Sequence, residues 1–209
     1  WICSDEELSS NTGKGVPMIL DRKVVFYLKN QKQIDEWYSL RARAIAETHE
    51  FFCSIAPDVK ILAAKLGNDV MSVADIENPY PKIYLYRQNW HDENLGYPTT
   101  GIALEWYRKN VSFMGSDRAY MGVWVNPDKA YEKFKPILFE AIEKVAPKSK
   151  FIGQYTSWLP FYRYEEPKAE NYWENLEVYK AQLLSSFEEQ WNLFWETIDI
   201  AVQQYRKMK

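Results

Sequence analysis

Cysteine and histidine are almost missing from this 209-residue chain, two of each, and their scarcity removes whole classes of function. Cys3 and Cys53 cannot build a disulfide framework, and with His49 and His91 as the only imidazoles no zinc spacing such as C-x-x-C with H-x-x-x-H exists. Reduced thiols in a cytoplasmic protein are the expectation, with no cofactor and no metal. Long apolar runs are lacking as well. Nothing approaches the ~18–20 residues of a membrane span, and no charged-then-apolar leader stands at the start, so a membrane is not an expected partner. Strong charge of either sign is also missing. A formal net charge of −3 disfavours a domain devoted to neutralising phosphates, because such domains are strongly basic.

Aromatic side chains, by contrast, are in excess. Nine Trp and fifteen Tyr raise the ring content to 16%, and both side chains join a large apolar body to a polar tip. That surplus is the one compositional sign of a binding surface. The remaining composition is that of an ordinary globular protein, and a chain of this length buries roughly 70–75% of its unfolded surface without staples.

Period and punctuation set out the elements. The β-rich run "KVVFYL", residues 23–28, reads as a strand. Apolar positions from Gln33 to Ala56 recur with a helical period and stop before Pro57, and a shorter helix covers Val59 to Leu66, closed by Gly67 in a left-handed conformation. Residues 83–90, 101–110 and 119–126 read as three strands of an antiparallel meander. Asn126-Pro127 has the form of an N-cap followed by proline at the first helical position, opening a helix that runs to Pro147. The stretch 151–167 is extended and can add an edge strand, and Glu170 to Met208 is almost continuously helical. Ser186 with Glu189 has capping-box form, which would divide that last stretch near Ser185. The expected fold is a single α+β domain over residues 1–209, an antiparallel meander sheet of about four to five strands packed with long amphipathic helices. Residues 170–209 form its helix-rich C-terminal extension.

Alternation along the three strands sorts their side chains onto two faces. Ile83, Leu85, Ile102, Leu104, Trp106, Met121, Val123 and Val125 form the face that helices cover. The other collects the candidate binding residues Tyr84, Tyr86, Trp90, Glu105, Tyr107, Tyr120 and Trp124, with small residues between the rings. Such a wall either packs under the chain's own C-terminal helix or the segment "YTSWLPFYRY", or stacks on a base, sugar or peptide ring. Glu105, set among aromatics, is expected to have its ionised form disfavoured by poor solvation.

Other chemistry is weaker. Asp21-Arg22-Lys23 ahead of an apolar run resembles the D/E-x-K element of the PD-(D/E)XK nuclease superfamily. That resemblance implies paired acids on a divalent metal and a lysine that helps position the attacking water, with Asp5, Glu6 or Glu7 as the further acid. The simpler reading is a polar turn entering a strand. His49 and Cys53, four apart on one helix, have the residue types of a nucleophilic pair but sit as rigid neighbours. His91, Asp92 and Glu93 share a turn, the acids around 165–177 suit a solvated helix start, and Lys29, Lys32, Arg41 and Arg43 suit a water-facing helix side.

The leading functional reading is a binding or interaction protein that uses the aromatic sheet face or the Trp-rich last helix. Trp191, Phe194, Trp195 and Tyr205 on that helix would let a homo-oligomer form through it. The alternative reading is a metal-dependent nuclease or hydrolase built on Asp21 and Lys23.

Overall fold

A computed structural model describes residues 20–93, 96–109, 118–147, 150–153, 161–172 and 174–208. The chain divides into two compact units, Trp1–Ala42 and Arg43–Lys209. Helix α1, Arg22–Cys53, begins in the first and ends in the second. Within the first unit the strand expected at residues 23–28 is the opening of α1. Asp21 explains why: its carboxylate accepts the Lys23 backbone N–H at 2.7 Å, the bond of an N-cap. A cap followed by good helix formers overrides the β preference of Val24, Val25 and Phe26, because propensity is only a weak local bias.

The second unit is α+β. Helices α2 (Ala56–Leu66), α3 (Phe134–Glu143) and α4 (Leu176–Arg206) accompany strands β1 (Val70–Asp75), β2 (Lys82–Arg87), β3 (His91–Asp92), β4 (Tyr97–Pro98), β5 (Thr100–Glu105), β6 (Tyr120–Val125), β7 (Ile152–Gly153) and β8 (Phe161–Tyr164). The main sheet runs β1-β2-β5-β6-β8-β7, every neighbouring pair antiparallel, and β3 and β4 make a separate small ribbon. The meander of three expected strands is its centre. β1 was not foreseen, because "VMSVAD" alternates weakly and most of its residues are exposed or half-buried.

Several boundaries move for identifiable reasons. The strand expected to reach residue 90 ends at Arg87, and Gln88–Trp90 is a 3-10 turn. Gly67 follows α2 with φ 163° and ψ 155°, extended backbone rather than the left-handed conformation. Asn126 does not open a long helix. Its side chain accepts the Asp128 N–H at 3.0 Å and Asp128 caps the 3-10 turn Lys129–Tyr131, so α3 starts only at Phe134. Helix α4 is continuous through Ser185, and Ser186 is no cap: its hydroxyl donates to the Glu165 carboxylate at 2.8 Å.

The core lies between the sheet and the helices. Ile83, Leu85, Ile102, Leu104, Trp106, Met121, Val123 and Val125 are all buried on the helix-facing side, and Tyr84, Tyr86, Ala103, Glu105 and Trp124 of the other face are buried as well. The helices meet the sheet through Phe52 stacked on Trp106 at 5.1 Å, Phe139 against Phe161 at 5.1 Å, and Ser186 hydrogen-bonded to Arg163. Each fully buried Leu, Ile or Phe here contributes about 1.5–3 kcal/mol of hydrophobic stabilisation.

Candidate functional site

The antiparallel register places Tyr84 opposite Ala103 of β5, Ala103 opposite Gly122 of β6, and Gly101 opposite Trp124. On this face β5 therefore carries only Gly101 and Ala103 between the rings of β2 and β6. With no bulky side chain in the way, Tyr84 and Trp124 meet across β5, centroids 5.1 Å apart and planes within 2°. The glycines are required by close approach: a Cβ on Gly101 would lie 2.5 Å from the Leu85 carbonyl oxygen, and one on Gly122 1.9 Å from that of Phe161.

The ring pair lines a cavity of about 430 Å³. Tyr84 and Trp124 are buried and form its floor, while Tyr80 (49% exposed) and Tyr97 (62% exposed) stand at the rim. Asp75, Asn78, Lys82 and Asn126 add polar groups to the lining. Burial and the nearby Asp75 carboxylate push the Tyr84 hydroxyl up to about 12, so it remains a neutral donor throughout the physiological range. The Trp124 indole N–H is buried without a hydrogen-bond partner among the described residues. A smaller cavity of about 330 Å³ adjoins Tyr86, lined also by Met71, Gln88, His91 and Glu93.

A row of charges crosses the same face, Asp75 opposite Lys82 and Lys82 opposite Glu105. Glu105 is fully buried, takes a hydrogen bond from the Tyr120 hydroxyl, and lies 3.3 Å from the Lys82 ammonium. Burial dominates over both partners and raises its carboxyl to about 7. Beyond Tyr120 the face continues in Tyr162 and Tyr164, whose rings lie 5.5 and 6.4 Å from that of Tyr120. Arg118 sits over Tyr164, 3.8 Å from the ring centroid.

Of the residues singled out in the sequence, Tyr84, Tyr86, Glu105, Tyr120 and Trp124 share this face. Tyr107, just past β5, stacks on Tyr80 at 5.1 Å. Trp90 does not belong with them. The 3-10 turn ends the strand's alternation and rotates it into the helical side, where its indole donates to Asp199 of α4 at 2.9 Å and its ring lies 5.5 Å from Trp191. Asp75, Tyr80, Tyr97, Tyr162 and Tyr164 were missed. Tyr80 and Tyr97 sit in turn-rich sequence that reads as connection, yet connections over a rigid sheet are where binding residues gather.

Comparison with protein-family models, with curated proteins and with solved structures finds no match. The side chains alone carry the functional reading.

The other candidates separate on the same grounds. Asp21 is engaged as the α1 cap and Lys23 is exposed in the first turn. Asp5, Glu6 and Glu7 lie outside the described residues, and among those described no cluster of three His, Cys, Asp or Glu could hold a metal. His49 and Cys53 are neighbours, Sγ to Nε2 3.5 Å, but the His49 Nδ1 accepts the Trp106 indole N–H at 3.1 Å. Burial lowers the imidazole and raises the thiol, both shifts running against a thiolate–imidazolium pair. The ribbon residue His91 lends its carbonyl to Arg206. Lys29, Lys32, Arg41 and Arg43 are exposed on α1, Arg43 paired with Glu47.

The acids near 165 are not a solvated helix start. Glu165 is buried, its carboxylate bonded by Arg163 at 2.8 Å and Ser186 at 2.8 Å, and Glu166 pairs with Arg118. On α4, Trp191, Phe194 and Tyr205 are buried within the chain and Trp195 lies under the Arg87 guanidinium. Of the expected cover 155–164, residues 155–160 lie outside the described residues, and 161–164 are strand β8, which pairs beside β6 in the sheet and does not lie across it. No helix among the described residues is long and apolar enough to cross a membrane.

Proposed function

We propose that the chain is a ligand-binding module of a reducing, cytoplasmic compartment and that its aromatic sheet face is the binding surface. The observation that carries this reading is the Tyr84–Trp124 stack flooring a cavity of about 430 Å³ with exposed rings at its rim. Concave sites of a few hundred Å³, mostly apolar with a few convergent polar groups, are the usual form of small-ligand pockets. Helices α2–α4 pack on the opposite face, and the cavity is bordered instead by Asn78, Pro79 and Tyr80 of the β1–β2 connection, Tyr97 of β4, and Asn126 and Pro127 after β6. An oligomer through α4 is a weaker reading, because most of the rings it would use already serve the core.

The test is ligand-observed NMR with a panel of nucleosides, monosaccharides and small amines, on the wild type and on Tyr97→Ala and Tyr80→Ala. Both side chains are rim residues, so their removal leaves the melting temperature within a degree or two while abolishing or weakening the signal. A signal unchanged in both variants, or none from any class of probe, removes the aromatic face as the binding surface.

A further inference from the structure

We infer that the cavity takes an organic cation, a quaternary or methylated ammonium group, and acts as an aromatic cage. This rests on the ligand-binding reading above and adds the chemical class. Four rings from separate segments converge on the space: Tyr84 of β2, Trp124 of β6, Tyr97 of β4 and Tyr80 of the β1–β2 connection. Tyr84 and Trp124 turn one face to each other and Tyr80 turns one to Tyr107, and the π-systems that border the space attract a weakly hydrated cation, whose transfer out of water costs little. Methyl groups on nitrogen meet ring faces and the apolar lining of Pro79 and Pro127.

The fixed charges around the cavity agree. Among the described residues Lys82 is the one basic residue of the lining, and it stands in register between Asp75 and Glu105, with its ammonium 3.3 Å from the Glu105 carboxylate. The Asp75 carboxylate and Glu105, whose buried carboxyl is raised to about 7, together offset that one ammonium, so the lining presents no free positive charge to repel a cation. Asp75 itself belongs to the lining, one oxygen taking the Asn78 amide at 2.6 Å, and its field reaches the Tyr84 hydroxyl. A phosphate-bearing nucleotide would meet the Asp75 carboxylate and a lysine already committed to Glu105. A neutral sugar or base would gain the stacking but nothing from Asp75.

The experiment is titration calorimetry with tetramethylammonium, choline and trimethyllysine, set against 3,3-dimethylbutan-1-ol, the uncharged isostere of choline. A 19F resonance of Trp124 in 5-fluorotryptophan-labelled protein, assigned by Trp124→Phe, reports occupancy directly. The cations are expected to bind and to shift that resonance, with the isostere at least tenfold weaker. Tyr97→Ala and Asp75→Asn should each weaken the cations at least tenfold without moving the melting temperature. Equal binding of the isostere, or no binding of any of the three cations, overturns the cage. If nucleosides or monosaccharides shift the Trp124 resonance and the cations do not, the cage falls while the binding face stands.

Discussion

Tyr84 and Trp124 lie on strands that are not neighbours, yet their rings stack at 5.1 Å. The contact exists because Gly101 and Ala103 of the intervening strand present no bulk between them. Small residues on a central strand thus create the platform, and the rings alone would not.

The first prediction concerns that spacing. Gly122→Ala places a Cβ 1.9 Å from the Phe161 carbonyl oxygen, a backbone atom that cannot turn away. Unfolding in urea should show a loss of about 3 kcal/mol or more, the upper range of overpacking costs. An unchanged midpoint would mean that β6 and β8 are not paired in this register.

Floor and rim should separate on substitution. Trp124→Ala removes a buried ring and is expected to cost about 3–5 kcal/mol of stability. Tyr97→Ala removes a ring that is 62% exposed and should change stability by less than about 0.5 kcal/mol while still abolishing ligand signals.

Glu105 makes stability depend on pH. Its carboxyl is raised from 4.5 to about 7 in the folded chain, so the unfolded state gives up this proton first. Its contribution is complete below pH ~4.5 and is lost as pH climbs through ~7, a decline of about 3 kcal/mol at 1.36 kcal/mol per pKa unit. Urea midpoints measured from pH 4 to 8.5 should show this fall in the wild type and a flatter profile in Glu105→Gln. Parallel profiles would place the carboxylate in water.

Asp199 acts in the opposite sense. Burial pushes its carboxyl up, but hydrogen bonds from Asn89 (2.8 Å) and the Trp90 indole (2.9 Å), the Arg87 charge and a bond from Gln203 outweigh it and hold it below its usual 3.8. Its contribution is therefore present above that ordinary value and is lost as pH falls through the lower folded one. Asp199→Ala releases the 3-10 turn from α4 and should cost about 3 kcal/mol at pH 7, given the strength of hydrogen bonds to charged groups. Asp199→Asn keeps part of the set and should fall between.

Cys53 should behave as a half-buried structural thiol. In a Cys3→Ser background, iodoacetamide labelling is expected to be slow and to accelerate only above the ordinary thiol pKa of ~8.5, because burial raises this one. An inflection below pH 7 would restore the His49–Cys53 pair as a nucleophile.

Alternation along residues 83–87, 102–106 and 121–125 could be read without coordinates, because a strand has a period of two and each segment carries apolar residues at every second position. The same rule failed at Trp90, where a 3-10 turn broke the period, and at "KVVFYL", where the Asp21 cap decided the local conformation. Glu165 reads as a surface acid in the sequence because its partners, Arg163 and Ser186, come from a strand edge and the middle of a distant helix. Ser186 and Glu189 match a capping box in spacing, yet both are bonded to β8 or the residue after it.

The sequence by itself determined the α+β class, the greasy side of the sheet and the aromatic character of the other side, since each follows from local period and composition. Only the tertiary structure decided that Tyr80, Tyr97 and Asp75 join Tyr84 and Trp124 around one cavity, while Trp90 turns away to Asp199. Those outcomes depend on strand order and register, which bring together residues as far apart as Asp75 and Trp124, and no local pattern encodes which distant backbone will lie alongside.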